Sequence, residues 1–357
     1  MLTVHLLPFN GLQLILRVRL GSILMPTTQE SEIRSRVTIV TAVEGDAGQR
    51  IDNFLMRQWR DLPKSRVYRL LRKGEVRVNG KRAKPDLRLA AGDQVRLPPI
   101  RLESPSDAPR PPSKSLQTSI LAAVIYEDRD VLVVNKPAGI AVHGGSGLSH
   151  GVIEGLRAAR PEWTELELVH RLDRDTSGCL LIAKRRAALR QLHALFRERE
   201  MDKRYLALVC GRWALGTKKL DLPLKTNQKQ GGERMVRVHP EGQESESTFK
   251  PIEHYGALAT LMEVSIGTGR THQIRVHAAY AHHPVAGDEK YGDKVRNAAL
   301  KDYGLRRMFL HAHSLSFVRS GGEPFSISAP LDTELQSVLD RLAEASRSSR
   351  QRKSRTA

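Results

Sequence analysis

Cysteine is almost missing from this chain: among 357 residues there are two, Cys179 and Cys210. Each lies in an apolar run, Cys179-Leu180-Leu181-Ile182 and Leu206-Ala207-Leu208-Val209-Cys210, that reads as a buried strand. This usage argues against a disulfide framework or a structural zinc site and fits a reducing cytoplasm. Acidic residues are scarce relative to basic ones, 39 against 58, for a net charge of +19. The imbalance points to a polyanionic partner, either nucleic acid or an acidic membrane surface. Long hydrophobic runs are also lacking. The apolar stretch in the first 24 residues is broken by Pro8, Asn10, Gly11 and Gln13, with no basic residue ahead of it. Neither a signal peptide nor a membrane span is therefore expected, and Met25 is a candidate start because fold-like patterning begins only after it.

Several catalytic patterns are absent as well: no Walker A sequence, no HExxH, no CxxC and no Rossmann fingerprint occur. The stretch Gly144-Gly145-Ser146-Gly147 lacks the spacing of a dinucleotide cradle. His277, His282 and His283 have no Cys or clear carboxylate partner nearby in sequence, so they are expected in the core or against RNA rather than around a metal. No cofactor and no metal are expected.

What is present divides into two parts, with 40% hydrophobic residues, an ordinary value for a globular protein. Residues 46–98 carry 14 Lys/Arg and 6 Asp/Glu, an excess of +8 in a short segment. Ile51, Phe54 and Leu55 recur at helical spacing. A second helix is predicted from Pro63 to Lys73, opened by the proline, closed by Gly74, with Val67, Leu70 and Leu71 as its apolar face. Arg66, Arg69 and Lys73 then share an exposed face suited to phosphate contact. A strand and an Asn79-Gly80 turn follow, adding Lys81, Arg82 and Lys84. Gln49 to Asp52, Pro63-Lys64-Ser65-Arg66 and Gly74 to Gly80 together resemble the S4 RNA-binding module.

Residues 101–118 are rich in Pro and Ser and read as a linker. Beyond it, strand-like runs at Val131–Val134, Cys179–Ala183, Tyr205–Val209 and Ala259–Val264 alternate with helical or loop-like stretches, predicting a mixed α/β or α+β domain. A helix is predicted from Arg185 to Glu200, with Leu189, Leu192, Leu195 and Phe196 facing the core. The tail from Ala345 holds five Lys/Arg and nothing apolar larger than alanine, so it is expected to be disordered.

The segment His170-Arg171-Leu172-Asp173-Arg174-Asp175-Thr176-Ser177-Gly178 runs directly into an apolar strand. Two carboxylates among arginines, on a loop anchored by a buried strand, make a plausible site. The residues alone do not choose between the two, and a turn organised by both is the simpler reading for an arbitrary sequence.

That segment closely resembles the motif of the RluA-type pseudouridine synthases: His-Arg-Leu-Asp, two variable residues, Thr-Ser-Gly. Three further stretches resemble the same family in the same order: Asn135 to His143, Lys203 to Val209, and Gly269 to His277. The resemblance covers roughly residues 46–340 and is nearest to RluC-type members in Ala141 to Gly147 and Val152 to Leu156.

The resemblance implies an α+β protein, an S4-like RNA-binding domain over 46–100 followed, after the 101–118 linker, by a pseudouridine synthase domain over 119–343. The latter would be built on a mixed, mainly antiparallel sheet, with an unstructured extension over 1–45 and a basic tail over 344–357. It implies Asp173 as the catalytic carboxylate, either a nucleophile at C1′ or a base removing a sugar proton; Asp175 falls on a variable position. Arg275 would pair with Asp173, Tyr205 would stack on the uracil and help remove the C5 proton, and Arg171 would fill the gap left by a flipped uridine. His170, Arg270 and His272 would contact RNA, together with Lys64, Arg66, Arg69, Lys73, Lys81 and Arg82 of the basic unit. The implied partner is 23S ribosomal RNA, modified at three separate sites by a cytoplasmic monomer without membrane contact. Two alternatives stay open: the same chemistry on tRNA, or a silent domain in an RNA-binding ribosome-assembly protein.

Overall fold

The computed structural model describes residues 36–59, 62, 64–100, 111–144, 150–228 and 234–355. The expectation for residues 1–35, including the start at Met25, lies outside the described residues. The chain divides into two units, 1–109 and 110–357.

In the first unit, strand β1 (Thr38–Thr41) precedes helices α1 (Ile51–Gln58) and α2 (Lys64–Lys73), and strands β2 (Arg77–Val78), β3 (Lys81–Arg82) and β4 (Gln94–Leu97) follow. The sheet order is β1-β4-β2-β3. Asn79 (φ 48°) and Gly80 (φ 75°) both adopt left-handed backbone, the geometry a two-residue hairpin needs to match strand twist. The predicted apolar face of α2 is buried, Val67, Leu70 and Leu71 packing with Ile51, Phe54, Val76 and Val95. Strand β1 lies inside the stretch expected to be an unstructured extension. It pairs residue by residue with β4 and satisfies the backbone groups of that strand's open edge.

The second unit opens with α3 (Lys114–Ala122), which occupies the end of the expected linker. Its boundary comes from Ser113, whose hydroxyl accepts the Leu116 N–H at 3.2 Å, and from the burial of Ile120. Then come β5 (Val124–Glu127), β6 (Val131–Lys136), α4 (Val152–Ala159), β7 (Glu167–Leu168), β8 (Ser177–Ala183), α5 (Arg186–Glu198) and β9 (Asp202–Cys210). Strands β10 (Lys218–Asp221), β11 (Leu224–Gln228), β12 (Arg234–Val238), β13 (Glu246–Tyr255) and β14 (Ala259–Ile266) lead to α6 (Gln273–Tyr280) and α7 (Lys294–Lys301). Strands β15 (Leu310–Val318) and β16 (Pro324–Ser328) and helix α8 (Thr333–Arg355) finish the chain. Helix α8 continues through the tail expected to be disordered. Its first turns are anchored by buried Leu335, Val338 and Leu342, and the chain beyond them extends a helix already nucleated.

Ten strands form one sheet in the order β10-β13-β14-β9-β15-β8-β6-β5, with β16 on β15 and β7 on β8. All pairings are antiparallel except β15 with β8, so the mixed, mainly antiparallel sheet is as expected. Alternation along β9 sends Tyr205, Ala207 and Val209 into the main core and Leu208 and Cys210 into the second core under α8. Strand β8 is buried along its whole length. At its start Gly178 has φ 107°, and a Cβ there would sit 2.2 Å from the Ala312 carbonyl oxygen of β15. Both cysteines are free and buried. No helix among the described residues is long and apolar enough to cross a membrane.

Candidate active site

The loop between β7 and β8 carries Asp173, and its backbone is fixed from three directions. Leu172 is buried beneath it, and the Thr176 N–H donates to the Asp173 carbonyl at 3.2 Å. The fully buried Lys136 ammonium donates to the carbonyls of Pro137 and Ile140 (2.8 Å each) and Arg174 (2.9 Å), tying the turn after β6 to the Asp173 loop. The Gly139 N–H reaches the same Arg174 carbonyl at 2.9 Å. Burial pushes the Lys136 ammonium down to about 7, against the pull of the Asp175 and Asp173 carboxylates.

Helix α6 brings the counter-charge. Arg275 Nη1 lies 3.2 Å from Asp173 Oδ2. Its Nε and Nη2 form a two-pronged bond to Asp288, at 2.7 and 2.9 Å. Asp288 Oδ1 also accepts the N–H groups of Lys290 (2.8 Å) and Tyr291 (3.1 Å). Burial works against ionisation of Asp288, yet Arg275 and these amides hold its carboxyl below the usual range. Burial likewise opposes the Arg275 charge, and the two carboxylates outweigh it, raising its pKa. The Tyr291 ring lies 5.1 Å from the guanidinium carbon. Arg275 is therefore a fixed cation with one edge spent on Asp288 and the other offered to Asp173, whose side chain keeps 26% exposure.

Of the two carboxylates in the loop, Asp173 is the one that faces this cation. Asp175 turns outward and pairs with Arg174 at 3.0 Å, both half-exposed. Tyr205 lines the main core, and its hydroxyl has no hydrogen bond to any described residue. Burial pushes its ionisation up strongly, and the nearby Asp173 charge adds to the effect, so the ring is held neutral. Arg171, exposed, lines an open polar cleft with Thr226, Gln243, Arg270 and Thr271.

Residues 130–280 match the RNA pseudouridylate synthase family, and residues 49–95 match the S4 domain. The chain is 54% identical over 312 residues to the ribosomal large subunit pseudouridine synthase C of Escherichia coli K12, covering 87% of this chain and 98% of that one. The chain belongs to the RNA pseudouridylate synthase family. The enzyme of the same name from Pasteurella multocida is 51% identical over 316 residues, 88% of this chain and 97% of its own. The solved structure of human RNA pseudouridylate synthase domain containing 1 superposes with a TM-score of 0.51 at 27% identity, over 63% of this chain and 94% of its own. Human domain containing 4, at 24% identity and TM-score 0.54, covers 64% of this chain and 96% of its own and shares the fold. Membership makes the protein an isomerase of RNA uridines, with an S4 module ahead of its synthase domain.

Within that family frame, the structure brings Asp173, Arg275 and His272 together, with Tyr205 in the same electrostatic environment. His170 differs from the expected RNA contact. Its Nε2 accepts the Leu181 N–H at 2.9 Å, its ring stacks on Phe196 at 5.3 Å, and burial pushes it down to about 3. It is a neutral prop under the loop. Arg270 is exposed, with Nε donating to the Glu244 carbonyl at 3.0 Å. In the first unit Arg69, Lys73 and Lys81 are exposed, Arg66 is half-buried, and Arg82 donates to the Arg72 carbonyl. The side chain of Lys64 lies outside the described residues. His277 is a core histidine, bonded to Ser245 and Ser247 at 3.0 Å each. Sequence reasoning did not identify Asp288, Lys136 as the loop clamp, or Tyr291. Asp288 sits among Gly287 and Gly292 in a stretch that reads as an ordinary turn, and only its burial separates it from one.

Proposed function

We propose that this synthase isomerises uridines of 23S ribosomal RNA in the cytoplasm, at three separate positions, with Asp173 as the reacting carboxylate. The observation that carries the reading is the Asp173–Arg275–Asp288 chain: an accessible carboxylate set against a cation whose own position a buried partner fixes. The choice of substrate is supported by the relatives, whose names refer to the large ribosomal subunit and whose likeness spans both units.

In the reaction the target uridine leaves its stack, at an unstacking cost of about a few kcal/mol. Arg171, exposed at the cleft, offsets part of that cost by occupying the vacated space. The N1–C1′ bond breaks, the uracil turns in the pocket, C5 bonds to C1′, the C5 proton departs and N1 gains one. Asp173 serves either as nucleophile at C1′ or as base toward a sugar proton. Tyr205, held neutral, is suited to stack on the uracil and to offer its hydroxyl; the cost of forming its phenolate speaks against a resting base.

The test is tritium release from 23S RNA carrying C5-tritiated uridine, with no added cofactor. Wild-type protein releases tritium, and Asp173→Asn loses at least about 100-fold in rate, the scale of a lost acid–base group. Full activity in Asp173→Asn sinks the assignment. Mapping pseudouridines in a deletion strain decides the substrate: sites missing from tRNA instead of 23S RNA would overturn it.

A further inference from the structure

A second side chain faces Asp173, and its hydrogen bonds determine which of its nitrogens carries the proton. The Tyr291 hydroxyl oxygen accepts the backbone N–H of Val236 at 3.0 Å and lies 2.8 Å from His272 Nδ1. A phenol has one proton, and no other acceptor for it exists among the described residues, so it goes to Nδ1. A neutral imidazole that accepts at Nδ1 carries its proton on Nε2. That atom is the one 3.9 Å from Asp173 Oδ2. The reverse arrangement would leave the phenol proton unused and turn a nitrogen lone pair toward a carboxylate. Burial lowers the pKa of the ring, with the Arg275 and Lys290 cations adding to that effect and the Asp173 and Asp288 carboxylates opposing it.

His272 also adopts left-handed backbone, φ 54° and ψ 21°, at the residue before α6, a conformation uncommon outside glycine. The turn directs the ring back toward the β7–β8 loop. Arg275 and His272 converge on the same oxygen, Oδ2, whereas Oδ1 has no partner among the described residues. A carboxylate anchored through one oxygen presents the other.

We propose that His272 is a positioning residue: a neutral Nε2–H donor, locked by the relay from Val236 N–H through Tyr291 O–H, that anchors Oδ2 and leaves Oδ1 to react. This rests on the reading of Asp173 as the reacting carboxylate. At 3.9 Å the contact is open in the free protein and shortens to a hydrogen bond when RNA is bound, as catalytic contacts commonly do.

The relay predicts a spectroscopic signature. In full-length protein with 15N-labelled histidine, two-bond proton–nitrogen correlations distinguish the two ring tautomers, and the signal is assigned by its loss in His272→Gln. At neutral pH the proton is expected on Nε2. Tyr291→Phe keeps the ring over Arg275 and removes only the hydroxyl, so it should yield mixed tautomers and a kcat lowered about tenfold, with KM for RNA little changed. His272→Gln, whose amide still donates, should retain more kcat than His272→Ala. A proton on Nδ1 overturns the proposal, as does a Tyr291→Phe enzyme with wild-type kcat or an unchanged ring spectrum. The tautomer is read without RNA, so this outcome is separate from that of Asp173→Asn, which tests the site itself.

Discussion

Asp288 never meets solvent, yet the orientation of the accessible carboxylate depends on it. It receives both prongs of Arg275 and two backbone N–H groups, four donors on one buried carboxylate. Replacing it by Asn keeps the shape but sets an amide N–H against a donor, and it leaves the buried Arg275 charge to the partly exposed Asp173 carboxylate. Breaking a buried pair in this way costs about 3–5 kcal/mol, and urea denaturation of Asp288→Asn should show that loss along with a fall in activity. The pH dependence has a definite sign. Because the folded pKa of Asp288 is depressed, its contribution is complete above the unfolded value near about 4 and disappears as pH falls through the folded value. The variant should therefore lose part of the acid-side slope of stability; an unchanged slope would assign that slope to other carboxylates. At this scale family likeness selected Asp173 from two carboxylates that local chemistry could not separate, and Asp173 is the one that lies against Arg275. Asp288 was not legible: whether an aspartate in a glycine-flanked turn faces water or a buried guanidinium is decided by tertiary packing, which leaves no local pattern. His170 misled for the same reason, since a histidine next to an arginine looks like an RNA contact until Phe196 and the Leu181 amide take up its ring.

Strand β8 sets where the Asp173 loop ends, and its second residue leaves no room for a side chain. Gly178 crosses β15 where the sheet's one parallel pairing brings His311 and Ala312 beside Ser177 and Gly178. A Cβ at Gly178 meets backbone at 2.2 Å, and its φ of 107° is strained for any other residue. Gly178→Ala must separate β8 from β15 or shift the loop, at a cost of at least about 1–3 kcal/mol. We expect a lower melting temperature and a single-turnover rate that falls more than RNA affinity does, because the displaced loop carries Asp173 and Arg171, whereas the exposed cations of the first unit stay in place. Equal loss of rate and affinity would show a global defect instead. The elements themselves were largely readable: the helix expected over Arg185–Glu200 spans Arg186–Glu198, and the apolar runs became β6, β8, β9 and β14. Their order was not readable. Insertion of β15 between β8 and β9 is a pairing across more than a hundred residues, and no periodicity records which distant edges meet.

Across the whole molecule the excess of positive charge was legible from composition, and its consequence is a salt-dependent affinity for RNA. Arg69, Lys73 and Lys81 are exposed on the S4-like unit, and among the described residues the one carboxylate paired with any of them, Glu75, is 3.9 Å from Lys73, too far and too exposed to neutralise it. If each contacts a phosphate, binding releases counterions, and the logarithm of the affinity falls with the logarithm of salt by roughly 0.7–0.9 per contact. A triple Arg69→Ala, Lys73→Ala, Lys81→Ala variant should reduce that slope by roughly 2–3, raise KM at moderate salt and leave kcat at saturating RNA unchanged. The folded state should tolerate these changes, because exposed cations contribute little to stability. A slope equal to that of the wild type would mean that neither the face of α2 nor Lys81 of β3 meets RNA, and the charge would then act only as a diffuse attraction. A drop in kcat with the slope preserved would show that this unit orients the substrate instead of holding it.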